Sequence, residues 1–413
     1  MYHELRKQGT GARIEMTEKT ERDAIDPSTL RPDTRLVTGG REPFAHHGFV
    51  NPPVYHASTV LYGSAEDLIA HRGRYQYGRR GTPTTEALET ALRELEGPNC
   101  AGVALLPSGL SAIATALLSV LGAGDHVLVA DNAYRPTRTF CDDVLTRLGI
   151  ETTYYDPMAS DVAPLMRANT RAVFVEAPGS QSFEVPDVPA IAACARARDA
   201  VVLMDNTWAT PLYFTALDKG VDLSIQAGTK YIGGHSDLML GTVSANAARW
   251  PDLKRTVGNM GLCVGPDDVY LALRGLRTMG VRLARHHDSG LRVASWLAKR
   301  PEVLRVLHPA LPTDPGYAMW RRDFTGASGL FSVVLKPVPQ PAINAFLDRL
   351  TLFGMGFSWG GYESLVIWFD CGEYRTVSKW NPGGPALRFH IGLEDVDDLV
   401  ADLERGFAAM AAA

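Results

Sequence analysis

The chain has 413 residues, 46% of them hydrophobic and 21% charged, the proportions of an ordinary soluble globular protein long enough for two domains. Its formal net charge of −5 leaves no basic footprint for nucleic acid or a membrane surface, and no apolar run reaches the ~18–20 residues that span a bilayer. The five cysteines, Cys100, Cys141, Cys194, Cys263 and Cys371, are odd in number and form no C-x-x-C pair, which points to reduced thiols in a cytoplasm and to no zinc site.

In chain order, residues 1–33 are polar, mixed in charge and without the apolar stretch of a signal peptide. They read as a mobile tail, or as an arm that orders on a neighbouring subunit. Tyr77-Gly78-Arg79-Arg80-Gly81 is a basic loop; it suits either a phosphate or plain solvation. Residues 84–96 carry apolar side chains at helical spacing and stop at Gly97-Pro98. Then come a strand over 103–106, a buried helix over 109–121, a strand over 126–129 and a helix over 137–148. Strands over 152–155 and 172–176, a helix over 188–198 and a strand over 201–204 continue the alternation. Repeated βα units with continuous apolar strands predict an α/β fold with a mainly parallel sheet flanked by helices. A long helical pattern runs over 270–297. Beyond it, strands over 332–335 and 388–391 and helices over 342–350 and 396–410 predict a smaller α+β unit. The expected divisions are a tail and arm over 1–75, a large domain over 76–275 and a C-terminal small domain over 276–413.

Lys230 lies in a small-residue loop, Ala227-Gly228-Thr229-Lys230, and follows a strand that ends in Asp205. This order suits pyridoxal phosphate (PLP). The amine forms a Schiff base, and the aspartate keeps the pyridine nitrogen protonated so that the ring accepts electrons. Pro107-Ser108-Gly109-Leu110-Ser111 joins a strand to a helix; it is either a tight turn or a phosphate site made of backbone N–H groups. Gly122-Ala123-Gly124-Asp125 follows a helix and lacks a third glycine, so it is not a dinucleotide loop. Tyr134 follows a strand, where its ring could stack on a pyridine. Arg388, among strand residues, either faces solvent on an edge or is paired in a cleft, where it would suit an amino-acid carboxylate. Ser358-Trp359-Gly360-Gly361 is a small-residue loop with one large aromatic. His235 reads as structural, and no histidine spacing matches a metal site.

Taken together, YGRRG at 77–81, Ser108-Gly109, Asp205-Asn206-Thr207-Trp208, Thr229-Lys230-Tyr231 with Gly234-His235-Ser236-Asp237, and Arg274-Gly275-Leu276-Arg277-Thr278 resemble the Cys/Met-metabolism group of fold-type I PLP enzymes. The similarity covers about residues 34–407. Within the group, residues 357–365 (FSWGGYESL) and 388–399 (RFHIGLEDVDDL) are most similar to the carbon–sulfur β-lyases. The resemblance implies that Lys230 holds PLP as the Schiff base and shuttles the substrate proton. It implies that Asp205 meets the ring nitrogen and that Tyr134 stacks on the ring and assists catalysis. Gly109, Leu110 and Thr229 would bind the phosphate, with Tyr77 and Arg79 reaching it from a neighbouring subunit. Ser358, Trp359 and Arg388 would hold the substrate. The chain departs from the pattern at Ala227, where many relatives have a phosphate-binding serine, at Phe357 in place of tyrosine, and over the divergent residues 372–385.

The expected activity is α,β-elimination from cystathionine, giving homocysteine, pyruvate and ammonia, within methionine biosynthesis. The alternatives are a γ-synthase, γ-lyase or sulfhydrylase of the same group, a general lyase of cysteine S-conjugates, or a PLP-binding protein without catalysis. The resemblance further implies a homotetramer, a dimer of dimers with shared sites, acting on a small amino acid with no nucleic-acid or membrane partner.

Overall fold

A computed structural model describes residues 25–413 apart from Ser160; the expectation for residues 1–24 lies outside the described residues. The first long helix, Pro83–Glu96, shows why the local sequence folds as it does. Thr82 accepts the Thr85 N–H, and the Thr85 hydroxyl accepts the Thr82 N–H at 2.8 Å, a reciprocal cap. Pro83 opens the helix and Gly97, at φ +95°, ends it.

Seven strands form the larger sheet: β1 Gly102–Leu106, β2 His126–Ala130, β3 Glu151–Tyr155, β4 Thr170–Glu176, β5 Val201–Asp205, β6 Leu223–Gln226 and β7 Gly241–Ala245. Their order is β1-β7-β6-β5-β4-β2-β3. The pairings β2/β3, β2/β4, β4/β5 and β5/β6 are parallel, and β7 pairs antiparallel with β1 and β6. The sheet is therefore mainly parallel, as expected. Alternate side chains enter opposite cores. Leu128, Val173, Val175, Val202 and Met204 pack with Val188 and Ile191 of the helix Val188–Arg196. Val127, Val129, Phe174 and Leu203 pack with Ile113 and Leu117 of the helix Gly109–Leu118. Both faces are covered, which is why these strands read as unbroken apolar runs.

The smaller sheet contains β8 Val303–Leu307, β9 Leu330–Leu335, β10 Gly354–Met355, β11 Leu365–Phe369 and β12 Ala386–His390, in the order β10-β11-β12-β9-β8. Helices Met279–Leu297, Gln340–Arg349 and Val396–Ala412 cover it through Leu297, Ile343, Phe346, Leu403 and Phe407. Trp208 Nε1 donates to the Leu330 carbonyl at 3.0 Å, joining the end of β5 to this second layer.

Two expected helices differ in detail. The pattern over 270–297 is two helices, Pro266–Leu276 and Met279–Leu297. Between them Arg277 turns away, and its Nη1 donates to the carbonyls of Leu36 and Gly39 at 2.8 Å each. The helix expected over 137–148 is a short α-helix, Arg135–Thr139, that widens into a π-turn, Phe140–Leu145. Such widening inside a helix often lies beside a functional site, and here it is in the helix that begins just after Tyr134. Among the described residues no helix is long and apolar enough to cross a membrane.

Candidate active site

Parallel strands present their C-terminal ends on one edge of the sheet, the usual place for a ligand in such folds. Asp205 is the last residue of β5 and only 9% exposed. Thr207 donates to its Oδ1 twice, from the backbone N at 3.0 Å and from the hydroxyl at 2.5 Å. The same hydroxyl accepts the Ala227 N–H at 2.9 Å. One oxygen atom thus ties the strand end that carries Asp205 to the loop that carries Lys230. Thr207 is part of a motif noted in the sequence, but its tie to Ala227 depends on a chain crossing that no local pattern reveals.

Lys230 Nζ donates to Ser358 Oγ at 2.5 Å and lies 5.4 Å from the centre of the Trp359 ring. Burial lowers its pKa to about 8; the Arg388 guanidinium lowers it too, and Asp205 opposes the shift. Arg388 lies on β12, in the interior of its sheet, and donates Nη2 to the Ser358 carbonyl at 3.0 Å. β12 is not an edge strand, so the edge reading does not hold. Tyr134 lies within electrostatic reach of Glu176, Asp205 and Arg388, and its backbone N donates to Glu176 Oε2 at 2.7 Å. Lys230, Asp205, Tyr134, Ser358, Trp359 and Arg388 are thus brought together.

Two observations test whether this cleft fits PLP. The first is Asp205: both of its hydrogen bonds fall on Oδ1, and among the described residues Oδ2 has none. A desolvated carboxylate with an open oxygen calls for a cation, and a protonated pyridine nitrogen is one. The second is Gly109, the first residue of its helix. A Cβ there would lie 2.6 Å from Ala227 Cβ, so glycine is what allows a helix N-terminus to come this close to the Lys230 loop. Both observations fit the group. The Ala227 Cβ is thus the surface against which Gly109 packs.

Other expected residues are less directly placed. Leu110 is partly exposed beside Gly109. The Thr229 hydroxyl donates to the Leu240 carbonyl at 3.1 Å and accepts its N–H at 3.0 Å. Tyr77 is 46% exposed, and Arg79 Nη1 donates to the Gly258 carbonyl at 3.0 Å. Among the described residues no hydrogen bond links Tyr77 or Arg79 to Gly109, Leu110, Thr229 or Lys230, and the chain does not gather that pair into its own cleft. Phe357 is exposed. His235 Nδ1 contacts the Gly233 carbonyl at 2.8 Å, a local structural contact.

The sequence carried no reading for residues 372–385, yet part of this segment forms a wall near the cleft. Asp131, directly after β2 and three residues before Tyr134, is buried. It accepts the N–H groups of Thr376, Val377 and Ser378 at 3.1, 3.1 and 2.9 Å. Arg138 Nη1 pairs with it at 2.8 Å. Burial pushes the Asp131 carboxyl up, but these N–H groups outweigh it and hold it at about 2.

Comparison with known proteins identifies the family. The model of the Cys/Met metabolism PLP-dependent enzyme family matches residues 33–408. A putative cystathionine beta-lyase of Rhizobium johnstonii is 54% identical over 385 residues, which are 92% of this chain and 96% of the relative. The cystathionine beta-lyase MetC of Escherichia coli K12 is 47% identical over 91% of this chain and 98% of its own length. The crystal structure of metB from Corynebacterium glutamicum superposes with a TM-score of 0.85 at 31% identity, covering 93% of this chain and 99% of that one. The chain belongs to the Cys/Met metabolism family of PLP-dependent enzymes.

Proposed function

We propose that this chain is a carbon–sulfur lyase that cleaves L-cystathionine by α,β-elimination to homocysteine, pyruvate and ammonia. The observation that carries the reading is the Lys230 amine. It is desolvated, held by Ser358 and Trp359, and close to both Asp205 and Arg388. The relatives named for this activity, 54% and 47% identical over nearly the whole chain, support the substrate.

PLP, when bound, supplies a ring that takes up the electron pair left on the substrate α carbon. The chain's residues do the rest. Asp205, through its open Oδ2, would hold the positive charge of the ring nitrogen. Tyr134 would stack on the ring. The N–H groups of Gly109 and Leu110, with Thr229, would hold the phosphate. Arg388 fixes the substrate carboxylate, with Ser358 and Trp359 shaping that side of the pocket. Lys230, neutral above a pKa of about 8 and partly neutral below it, removes the α-proton. The Cα–H and Cβ–S bonds break, a Cα=Cβ bond forms, and the thiolate leaves with a proton as homocysteine. Hydrolysis of the remaining unsaturated amine gives pyruvate and ammonia.

The assembly belongs to the same proposal: a homotetramer of dimers, with Tyr77 and Arg79 completing a neighbour's phosphate site. Phe49, Val50, Leu61 and Ile69, all in the segment leading to Tyr77, are exposed, as expected of a surface that a second copy covers. A cytoplasmic location and a division of the chain near residue 275 are part of the same reading. Product identification tests the function. Pyruvate from cystathionine supports it, and 2-oxobutyrate as the main product would move the chain to γ-elimination.

A further inference from the structure

The loop that meets Lys230 is held in an unfavourable shape. Ser358 has φ +84°, a left-handed conformation that a residue with a side chain rarely adopts. Gly360 follows at φ +88°, and a Cβ there would lie 3.0 Å from the Lys230 main chain. Conformations of this kind persist only where several surrounding contacts enforce them. Arg388 supplies one contact, on the Ser358 carbonyl. Two residues further along β12, His390 supplies another. Its Nε2 lies 3.1 Å from Gly360 N and 3.0 Å from the Gly361 carbonyl oxygen.

A neutral ring nitrogen serves one of these partners as intended, not both. The Gly360 N–H, aimed at Nε2 and in need of an acceptor, decides which. His286 Nδ1 is 2.7 Å from the Ile391 carbonyl oxygen, which only accepts, so that nitrogen carries the hydrogen. His286 Nε2 is then a bare lone pair, buried and without a partner among the described residues. His390 Nδ1 is buried and unpartnered in the same way, and the two ring centres are 5.2 Å apart. If His390 Nε2 carried the hydrogen, the Gly360 N–H would meet an N–H. If Nδ1 carries it, Nε2 accepts from Gly360. Burial first, then His286, Arg388 and Lys230, hold His390 down to about 3, which keeps the ring neutral.

We propose that His390 is a positioning residue: as the Nδ1–H tautomer it grips the Gly360 N–H and so holds the Ser358–Trp359 turn against Lys230. Its effect on turnover rests on the reaction proposed above; its tautomer does not.

Neutron diffraction from a deuterium-exchanged crystal of the PLP-loaded protein reads the tautomer. Deuterium on Nδ1 of both His390 and His286 is expected, and deuterium on Nε2 of His390 would overturn the proposal. Kinetics read the consequence. His390→Phe keeps a buried ring but offers no acceptor; it should lower kcat/KM by about ten- to a hundred-fold. His390→Gln, whose amide oxygen can accept the Gly360 N–H, should recover to within about threefold of wild type, on the scale of one neutral hydrogen bond. Full activity in His390→Phe would refute the role. Should that variant not fold, the deuterium positions still decide. A wild type that forms no pyruvate would remove the lyase reading and leave those positions untouched.

Discussion

Glu176 and Asp205 are register partners at the ends of adjacent parallel strands, two buried carboxyls side by side. They are not equivalent. Burial, and then the charge of Asp205, raise the Glu176 pKa well above its ordinary value. Asp205 is raised by burial but relieved by two Thr207 bonds and by Lys230. Two like charges at this separation do not both ionise freely, so Glu176 keeps its proton and Asp205 carries the charge. Glu176→Gln should therefore keep kcat within about threefold of wild type, because it removes no charge. Asp205→Asn should lower kcat by at least about a hundredfold. Steady-state pyruvate assays check both; equal losses in the two variants would remove the distinction.

Lys230 should be more reactive than an ordinary lysine. Its pKa of about 8 places half of the amine in the neutral form near that pH, against 10.5 for a solvated side chain. PLP capture by apoprotein, followed by absorbance, should accelerate between pH 7 and 9 and level off above about 9. The folded apoprotein binds fewer protons than the unfolded chain between about 8 and 10.5, so this group makes stability rise with pH across that window. Lys230→Ala should abolish turnover and leave PLP bound only non-covalently, lost on dialysis and not fixed by borohydride.

Arg388 and Trp359 should differ in degree. Trp359→Ala removes the ring beside Lys230 and should lower kcat/KM by about ten- to a hundredfold, ~1.4–2.8 kcal/mol of positioning. Arg388→Ala removes both the charge offered to a carboxylate and the grip on the Ser358 carbonyl, and should cost more. A larger loss at Trp359 than at Arg388 would contradict the assignment of the carboxylate.

Arg79→Ala should weaken PLP retention, although Arg79 makes no hydrogen bond to its own chain's Gly109 or Thr229. Hybrids reassembled from Arg79→Ala and Lys230→Ala chains should regain part of the activity, because one site in a mixed dimer has both wild-type residues. No activity above the two parents would remove the cross-subunit role.

Lys230 and Asp205 are legible in the sequence because their chemistry requires those residue types at the end of a strand and in the loop beyond the next one. The parallel strands β2, β4 and β5 are legible because both of their faces are buried, whereas β6, with Ser224 and Gln226 polar yet buried, is not. Nor is β7, because Thr242 and Ser244 are polar yet buried; Ser224 and Gln226 of β6 donate to Oε1 of the buried Glu96 carboxyl, beside which Ser244 also lies. The contacts of Thr207, His390 and Asp131 escape notice for a related reason. Each acts on a backbone N–H that lies 20, 30 or about 245 residues away, and a main-chain partner leaves no mark on the residue alphabet.

The grip of Asp131 on residues 376–378 has a consequence for how this wall can change over time. Most of the hold falls on main-chain N–H groups, which every residue except proline provides. The side chain at Val377 is therefore free to drift while the backbone stays in place. A segment that looks divergent can thus remain anchored, offering selection a place to vary the pocket's outer surface without disturbing the anchor. Proline at 376, 377 or 378 is the change this arrangement forbids.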